Sequence, residues 1–197
     1  IPFLVVRRKS MSSLTTNKKA FYPCYAHDVL GPLKIMKGLV DEVIFCDISR
    51  SNTLNQREKQ KIALEVNENA LPNPIYLRKN IEKAVLDLDV IHIFFYRYDS
   101  QSEGGSGLYL LGKEWLKKIL KLFPEKGGLI ISDGSNSDEV WGEIIKPEGF
   151  TWQEIGWKFN KFEPNIEIRN QIEKSADHLS FIQVERVNST QNESTGG

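Results

Sequence analysis

Cysteine is scarce in this chain of 197 residues: Cys24 and Cys46 are the only two, too few for the disulfide framework of a secreted domain. Both lie in or beside apolar runs, so reduced thiols in a soluble cytoplasmic protein are expected. Net charge is also missing, because 26 lysines and arginines balance 26 aspartates and glutamates. Without an excess of positive charge there is no general attraction to nucleic acid or to an anionic membrane. The expected partner is a small-molecule ligand, and oligomeric state is not legible. No apolar run approaches the roughly 18 to 20 residues that span a bilayer, and Ile1-Pro2-Phe3-Leu4-Val5-Val6 is too short for a signal core and precedes its basic residues. Gly-x-Ser-x-Gly is absent too, which removes the usual hydrolase elbow.

What the chain does have is a set of short apolar runs that end in polar clusters. Val43-Ile44-Phe45-Cys46 ends in Asp47, Val90 to Tyr96 runs into Arg97-Tyr98-Asp99, and Leu129-Ile130-Ile131 ends in Ser132-Asp133-Gly134-Ser135-Asn136. Such runs, rich in β-branched and aromatic residues and without alternation, read as strands buried on both faces of a parallel sheet. Open parallel sheets bind ligands beyond the carboxyl ends of their strands, so these clusters outline one site.

The segments between the runs carry helix signals. Pro32 suits a first helical turn, Thr53-Leu54-Asn55-Gln56 fits a capping box before an exposed helix from Arg57 to Asn69, and Pro72-Asn73-Pro74 stops it. Ile81 to Leu88 reads as a helix. Lys113 to Phe123 places Trp115, Leu116, Ile119, Leu120 and Phe123 on one apolar face, and Ser137 can cap a further helix that ends at Pro147. Strands are expected near 21 to 24, 43 to 47, 75 to 78, 90 to 96 and 128 to 132, all parallel. Alternating stretches at Phe150 to Phe159 and Phe181 to Val187 read as a late antiparallel pair at a sheet edge.

One Rossmann-like α/β domain over 20 to 187 follows, doubly wound and mostly parallel. Before it, residues 1 to 19 form a basic arm carrying Arg7, Arg8, Lys9, Lys18 and Lys19, and Met11 reads as a natural start; after it, 188 to 197 contain no hydrophobe and should be disordered. Ser100 to Gly107 has the composition of a mobile lid or of a plain connecting loop.

At the strand ends, Asp47 stands where doubly wound folds place a carboxylate that accepts hydrogen bonds from a ribose diol. His27 is the histidine best placed for general-base work, close to Cys24 and Asp28 in one loop. Asp99 and Asp133, with Asn136, offer hard oxygen ligands, yet Asp133-Gly134 and the residues after it more simply form a turn, and no metal site is expected.

From Ala20 to Val187 the order of elements resembles the class I, S-adenosylmethionine-dependent methyltransferases: alternating strands and helices, an acid ending strand two, a loop after strand four, a Gly-Gly turn before strand five and a late strand pair. The resemblance implies a seven-stranded sheet with its last strand antiparallel, and S-adenosylmethionine over the ends of strands one, two and four. By position, Cys24 to Leu30, including Asp28, would be the methionine-side loop, Asp47 the ribose acid and Asn80 the adenine-side residue. Tyr96 to Asp99 would be the catalytic or substrate loop, with His27, Tyr96 and Asp99 as catalytic groups and Asp133 beside the cofactor. The chain departs from the family in its first loop, Tyr22-Pro23-Cys24-Tyr25-Ala26-His27-Asp28, which holds none of the usual glycines before Gly31. It looks like a divergent branch. Methyl transfer to a small molecule and a non-enzymatic ligand-binding or interaction module on the same fold both stay open.

Overall fold

In the computed structural model the first strand, β1 (Lys19–Pro23), is shut away from solvent after its first residue, and β4 (Ile93–Tyr96) and β5 (Gly128–Ser132) are buried throughout. The structure describes residues 17–48, 54–97, 99, 108, 110–134, 151–175 and 178–187. With β2 (Glu42–Asp47), β3 (Asn73–Arg78), β6 (Trp157–Lys161) and β7 (Ser180–Arg186) these strands form one seven-stranded sheet in the order β3-β2-β1-β4-β5-β7-β6. The first five are mutually parallel as expected, and β7 runs antiparallel to both its neighbours. Position in the sheet explains the sequence. Central strands have no solvent face and read as continuous apolar runs, whereas the edge strand β3 alternates between exposed and half-buried residues.

Successive strand residues point to opposite faces. Phe21, Ile44, Phe94 and Ile130 pack under α3 (Ile81–Asp87) and α4 (Lys113–Lys121), whereas Tyr22, Phe45, Phe95 and Ile131 pack under α1 (Leu30–Ile35), α2 (Gln56–Asn69) and α5 (Ile166–Ser175). The result is a three-layer αβα sandwich. The Gly-Gly entry to β5 is a steric requirement, since a Cβ on Gly127 would lie 1.9 Å from the Val184 carbonyl oxygen and one on Gly128 2.6 Å from the Phe123 ring.

Several boundaries differ from expectation. The first strand begins at Lys19, two residues before the expected start, and β4 begins only at Ile93, because the Ile91 N–H already donates to the Leu122 carbonyl. The capping box of α2 is built by Asn55 and Glu58, two residues past the expected pair, with both reciprocal bonds present. Trp115 is only partly buried and carries Lys118 Nζ at 4.2 Å above its ring. The helix α5 has no counterpart in the sequence expectations. The helix after Ser137, the lid at 100 to 107, residues 1 to 16 and the tail lie outside the described residues. Among the described residues no helix is long and apolar enough to cross a membrane.

Candidate functional site

Because β2 and β4 flank β1, the chain leaves β1 in one direction and returns to β4 on the other side, which opens a crevice at their carboxyl ends. The loop that leaves β1 there is unusual. Cys24, Ala26 and His27 have φ values of 55°, 39° and 70°, the left-handed region that glycine occupies freely, and each costs about 1 to 2 kcal/mol for a residue with a Cβ. Among the hydrogen bonds that hold the turn, Cys24 N–H donates to the Cys46 carbonyl at 2.7 Å, Asp28 N–H to the Tyr25 carbonyl at 2.6 Å, and Ala26 N–H to Asp47 Oδ2 at 3.4 Å. Asp47 at the end of β2 therefore fixes the loop that follows β1.

Beside it lies an ion pair between the loop and the end of β4. Arg97 Nε donates to Asp28 Oδ2 at 2.8 Å and Nη2 to Oδ1 at 2.9 Å, while the Tyr22 hydroxyl donates to Asp28 Oδ2 at 2.8 Å. The arginine side chain is only 3% exposed and stacks 5.3 Å from the Phe95 ring centroid. Burial, followed by the negative charge of Asp28, holds the Tyr22 phenol well above its ordinary pKa, so it stays a donor. Gly31 makes room for this pair: a Cβ there would stand 2.8 Å from Arg97 Nη2.

On the β2 side, Tyr25, Asp47, Leu54, Lys59, Tyr76 and Arg78 line a cavity of about 130 Å³. Tyr25, Phe45 and Tyr76 form a ring cluster with centroids 5.3 to 6.2 Å apart, and Lys59 Nζ lies 5.5 Å from the Tyr76 centroid. The Tyr76 hydroxyl is buried and has no hydrogen-bond partner among the described residues. Burial, with a smaller contribution from Tyr25, pushes its phenol up to about 12. A buried hydroxyl without a partner, in a residue that lines a cavity, is a group that lacks its polar complement.

The sheet has seven strands, its last strand alone opposes the rest, and a crevice opens at the strand ends. The chain has a class I methyltransferase-like fold. No protein-family model and no curated protein matches its sequence. Solved structures that resemble it include an rRNA methylase from Streptococcus thermophilus, 12% identical, covering 87% of this chain and 89% of that one with a TM-score of 0.45. The 16S rRNA methyltransferase KamB is 16% identical over the same shares, also at 0.45. A precorrin 8W decarboxylase from Methanobacterium thermoautotrophicum is 16% identical, covering 87% and 82% at 0.43. These likenesses describe the course of the backbone, and the site rests on its own geometry.

Within this methyltransferase-like domain the expected site residues divide into two groups. Asp28, Tyr96, Asp99 and Asp133 gather where β1, β4 and β5 end: the Tyr96 hydroxyl lies 3.0 Å from Asp99 Oδ2 and 2.9 Å from the Leu108 carbonyl, and Asp133 N–H donates to the Tyr96 carbonyl at 3.4 Å. Tyr96, Asp99 and Asp133 are all buried. Asp47 stands at the β2 side with Cys24, which is half-buried, and His27, which is exposed. Asn80 uses its side-chain oxygen to cap α3, accepting the Glu82 N–H at 2.8 Å. Cys46 is packed: burial, then the charge of Asp47, pushes its thiol up to about 12 while the S–H faces the Lys79 carbonyl at 3.3 Å.

Sequence reasoning put Arg97 in the cluster after β4 without giving it a role of its own, and it missed Tyr76. A guanidinium directly after four buried strand residues was the available signal for the first, since a buried charge requires a partner. Tyr76 left no signal beyond its place in a strand. For an S-adenosyl group, the carboxylate, the tyrosine rings and the unsatisfied hydroxyl fit a nucleoside. On the β1 side Asp28 is already engaged by Arg97.

Proposed function

We propose that this domain binds a nucleoside-containing small molecule at the carboxyl ends of β2 and β3, with S-adenosylmethionine as the ligand and methyl transfer to a small molecule as the reaction it serves. The observation that carries the reading is the Tyr76 hydroxyl, buried without a partner among the described residues in the cavity that Asp47 lines. Asp47 offers acceptor oxygens to a ribose diol, Tyr76 offers a donor to a base or sugar oxygen, and the Tyr25 and Tyr76 rings offer faces to a planar base. The cavity is smaller than the roughly 300 to 1,000 Å³ of a complete ligand site, so it takes the nucleoside end while the rest lies over the strand ends. Bound S-adenosylmethionine would supply the electrophilic methyl group. The chain would supply orientation, with His27 as an exposed base for the acceptor.

A second reading has its own observation. The Asp28–Arg97 pair joins the loop after β1 to the end of β4 and engages Asp28 with the chain's own charge, which favours a ligand-binding or interaction module without catalysis. Calorimetric titration of the full chain with S-adenosylmethionine, S-adenosylhomocysteine and adenosine separates the two. Saturable binding of the donor and its product supports the first, and binding of adenosine alone supports the second. If none of the three binds, the nucleoside reading fails.

A further inference from the structure

Towards the other edge of the sheet, α5 and the connection that leads into it border an open cavity of about 540 Å³ against the start of β7. The register of β7 on β5 pairs Ser180 with Ser132, so the cavity opens at the same carboxyl-end rim of the sheet as the crevice. Across three strand spacings of about 4.8 Å it lies roughly 15 Å from β1. It shares no lining residue with the Asp47 cavity and does not depend on what that cavity binds.

Its floor is apolar, made by Phe162, Ile172, Leu179 and Phe181. The Phe162 and Phe181 ring centroids are 6.2 Å apart. Two opposite charges stand on its α5 wall, Arg169 and Glu173, one helical turn apart and therefore on one side of the helix. They do not pair with each other, and neither forms an ion pair among the described residues. Arg169 is held in place: its Nε donates to the Pro164 carbonyl at 3.0 Å, which leaves the other N–H donors of the guanidinium for another acceptor. The other charges on the rim, Lys161 and Glu163, answer each other at 3.3 Å.

We infer that this cavity is a binding site for a small zwitterion with an apolar body, an α-amino acid with a large aromatic or aliphatic side chain. Arg169 takes the carboxylate, Glu173 takes the ammonium, and the side chain lies on Phe162 and Phe181. A volume of about 540 Å³ is within the usual range for such ligands. Arg169 and Glu173 are both exposed, and a simple carboxylate or a simple amine would make only one of the two charge contacts.

The test uses the full chain and three probes: L-phenylalanine, 3-phenylpropanoate, which lacks the ammonium, and 2-phenylethylamine, which lacks the carboxylate. Calorimetry or nuclear magnetic resonance titration should show saturable phenylalanine binding, with each of the other two about twofold to fivefold weaker, the loss of one exposed charge contact. Glu173→Gln should weaken phenylalanine about twofold to fivefold and leave 3-phenylpropanoate unchanged. Arg169→Gln should weaken both acids and spare the amine. Since Arg169 also braces Pro164, its variant is checked by thermal melting, and Glu173→Gln carries the test if it fails to fold. The proposal is overturned if phenylalanine does not bind, if 3-phenylpropanoate binds equally well, or if Glu173→Gln leaves phenylalanine affinity intact.

Discussion

Arg97, at the end of β4, closes a two-point ion pair on Asp28, which lies 69 residues earlier in the loop after β1. The pair joins two neighbouring strand ends and is braced by the Tyr22 hydroxyl. Removing one partner deprives the other of its two charge-assisted contacts, so Arg97→Met and Asp28→Ala should each lower stability by about 1.5 to 3 kcal/mol in urea unfolding. Gly31→Ala should also destabilise, by about 1 to 3 kcal/mol, because its methyl group takes the place of Arg97 Nη2. An unchanged midpoint for Gly31→Ala would mean that the guanidinium moves aside at no cost.

Relief of the left-handed loop should do the opposite. Ala26 at φ 39° and His27 at φ 70° sit in conformations that glycine adopts without a Cβ clash. Ala26→Gly and His27→Gly should each raise stability by about 0.5 to 1 kcal/mol, the steric relief exceeding the extra entropy of the unfolded chain. Thermal melting reads this directly. A lower melting temperature for both variants would show that side-chain contacts, not backbone shape, hold the loop.

The fold was legible where both faces of a strand are buried. Phe94-Phe95-Tyr96 and Ile130-Ile131 are apolar without interruption because helices cover the sheet on both sides, and a half-exposed strand or an amphipathic helix of the same length would have to interrupt the run with polar residues. The edges were less legible. Among the described side chains of α5, Ile168 alone is buried, so its sequence carries little periodic signal. Asp47 could be placed because a strand end fixes its position locally. The Asp28–Arg97 pair and the orphan Tyr76 hydroxyl could not, since they depend on which strands become neighbours.

The two thiols should differ in reactivity. Cys46 is pushed up to about 12 by burial and by the charge of Asp47, so at pH 8 only about one molecule in ten thousand carries its thiolate. Cys24 is half-buried. Iodoacetamide at pH 8 should therefore modify Cys24 in the native protein and reach Cys46 only after denaturation, as peptide mass spectrometry would show. Equal labelling of both in the native state would contradict the packing of β2.

His92 gives a pH dependence with a defined sign. Its Nδ1 accepts the Lys19 N–H at 3.3 Å, and burial, then the charge of Lys18, lowers its pKa. The unfolded imidazole, with its ordinary value of about 6.5, thus takes up a proton before the folded one does, and stability falls as pH drops through that value. The change should be small because the ring is only partly buried. His92→Gln should flatten the dependence of melting temperature between about pH 7 and pH 5, the range around the ordinary imidazole value. A slope unaltered by the substitution would assign it to the carboxylates.

Tyr76 and Asp47 together test the nucleoside site through two different readouts. Because the Tyr76 hydroxyl is buried without a partner among the described residues, deleting it in Tyr76→Phe should leave the ligand-free protein as stable as before, or up to about 1 to 2 kcal/mol more so. If a bound nucleoside supplies the missing partner, the same variant should bind S-adenosylhomocysteine about fivefold to tenfold more weakly, the loss of a neutral hydrogen bond of roughly 1 to 1.5 kcal/mol. Asp47→Ala removes a charge-assisted contact of roughly 1.5 to 3 kcal/mol and should cost about tenfold to a hundredfold in affinity, with Asp47→Asn milder because the amide keeps one acceptor. Asp47 also braces the loop through the Ala26 N–H, so its variants are compared by melting temperature as well as by calorimetry. A purely structural Asp47 would lower the melting temperature and leave affinity alone. A Tyr76→Phe variant that loses stability in the absence of ligand would mean that the hydroxyl already has a partner within the chain, which removes the observation on which the site rests.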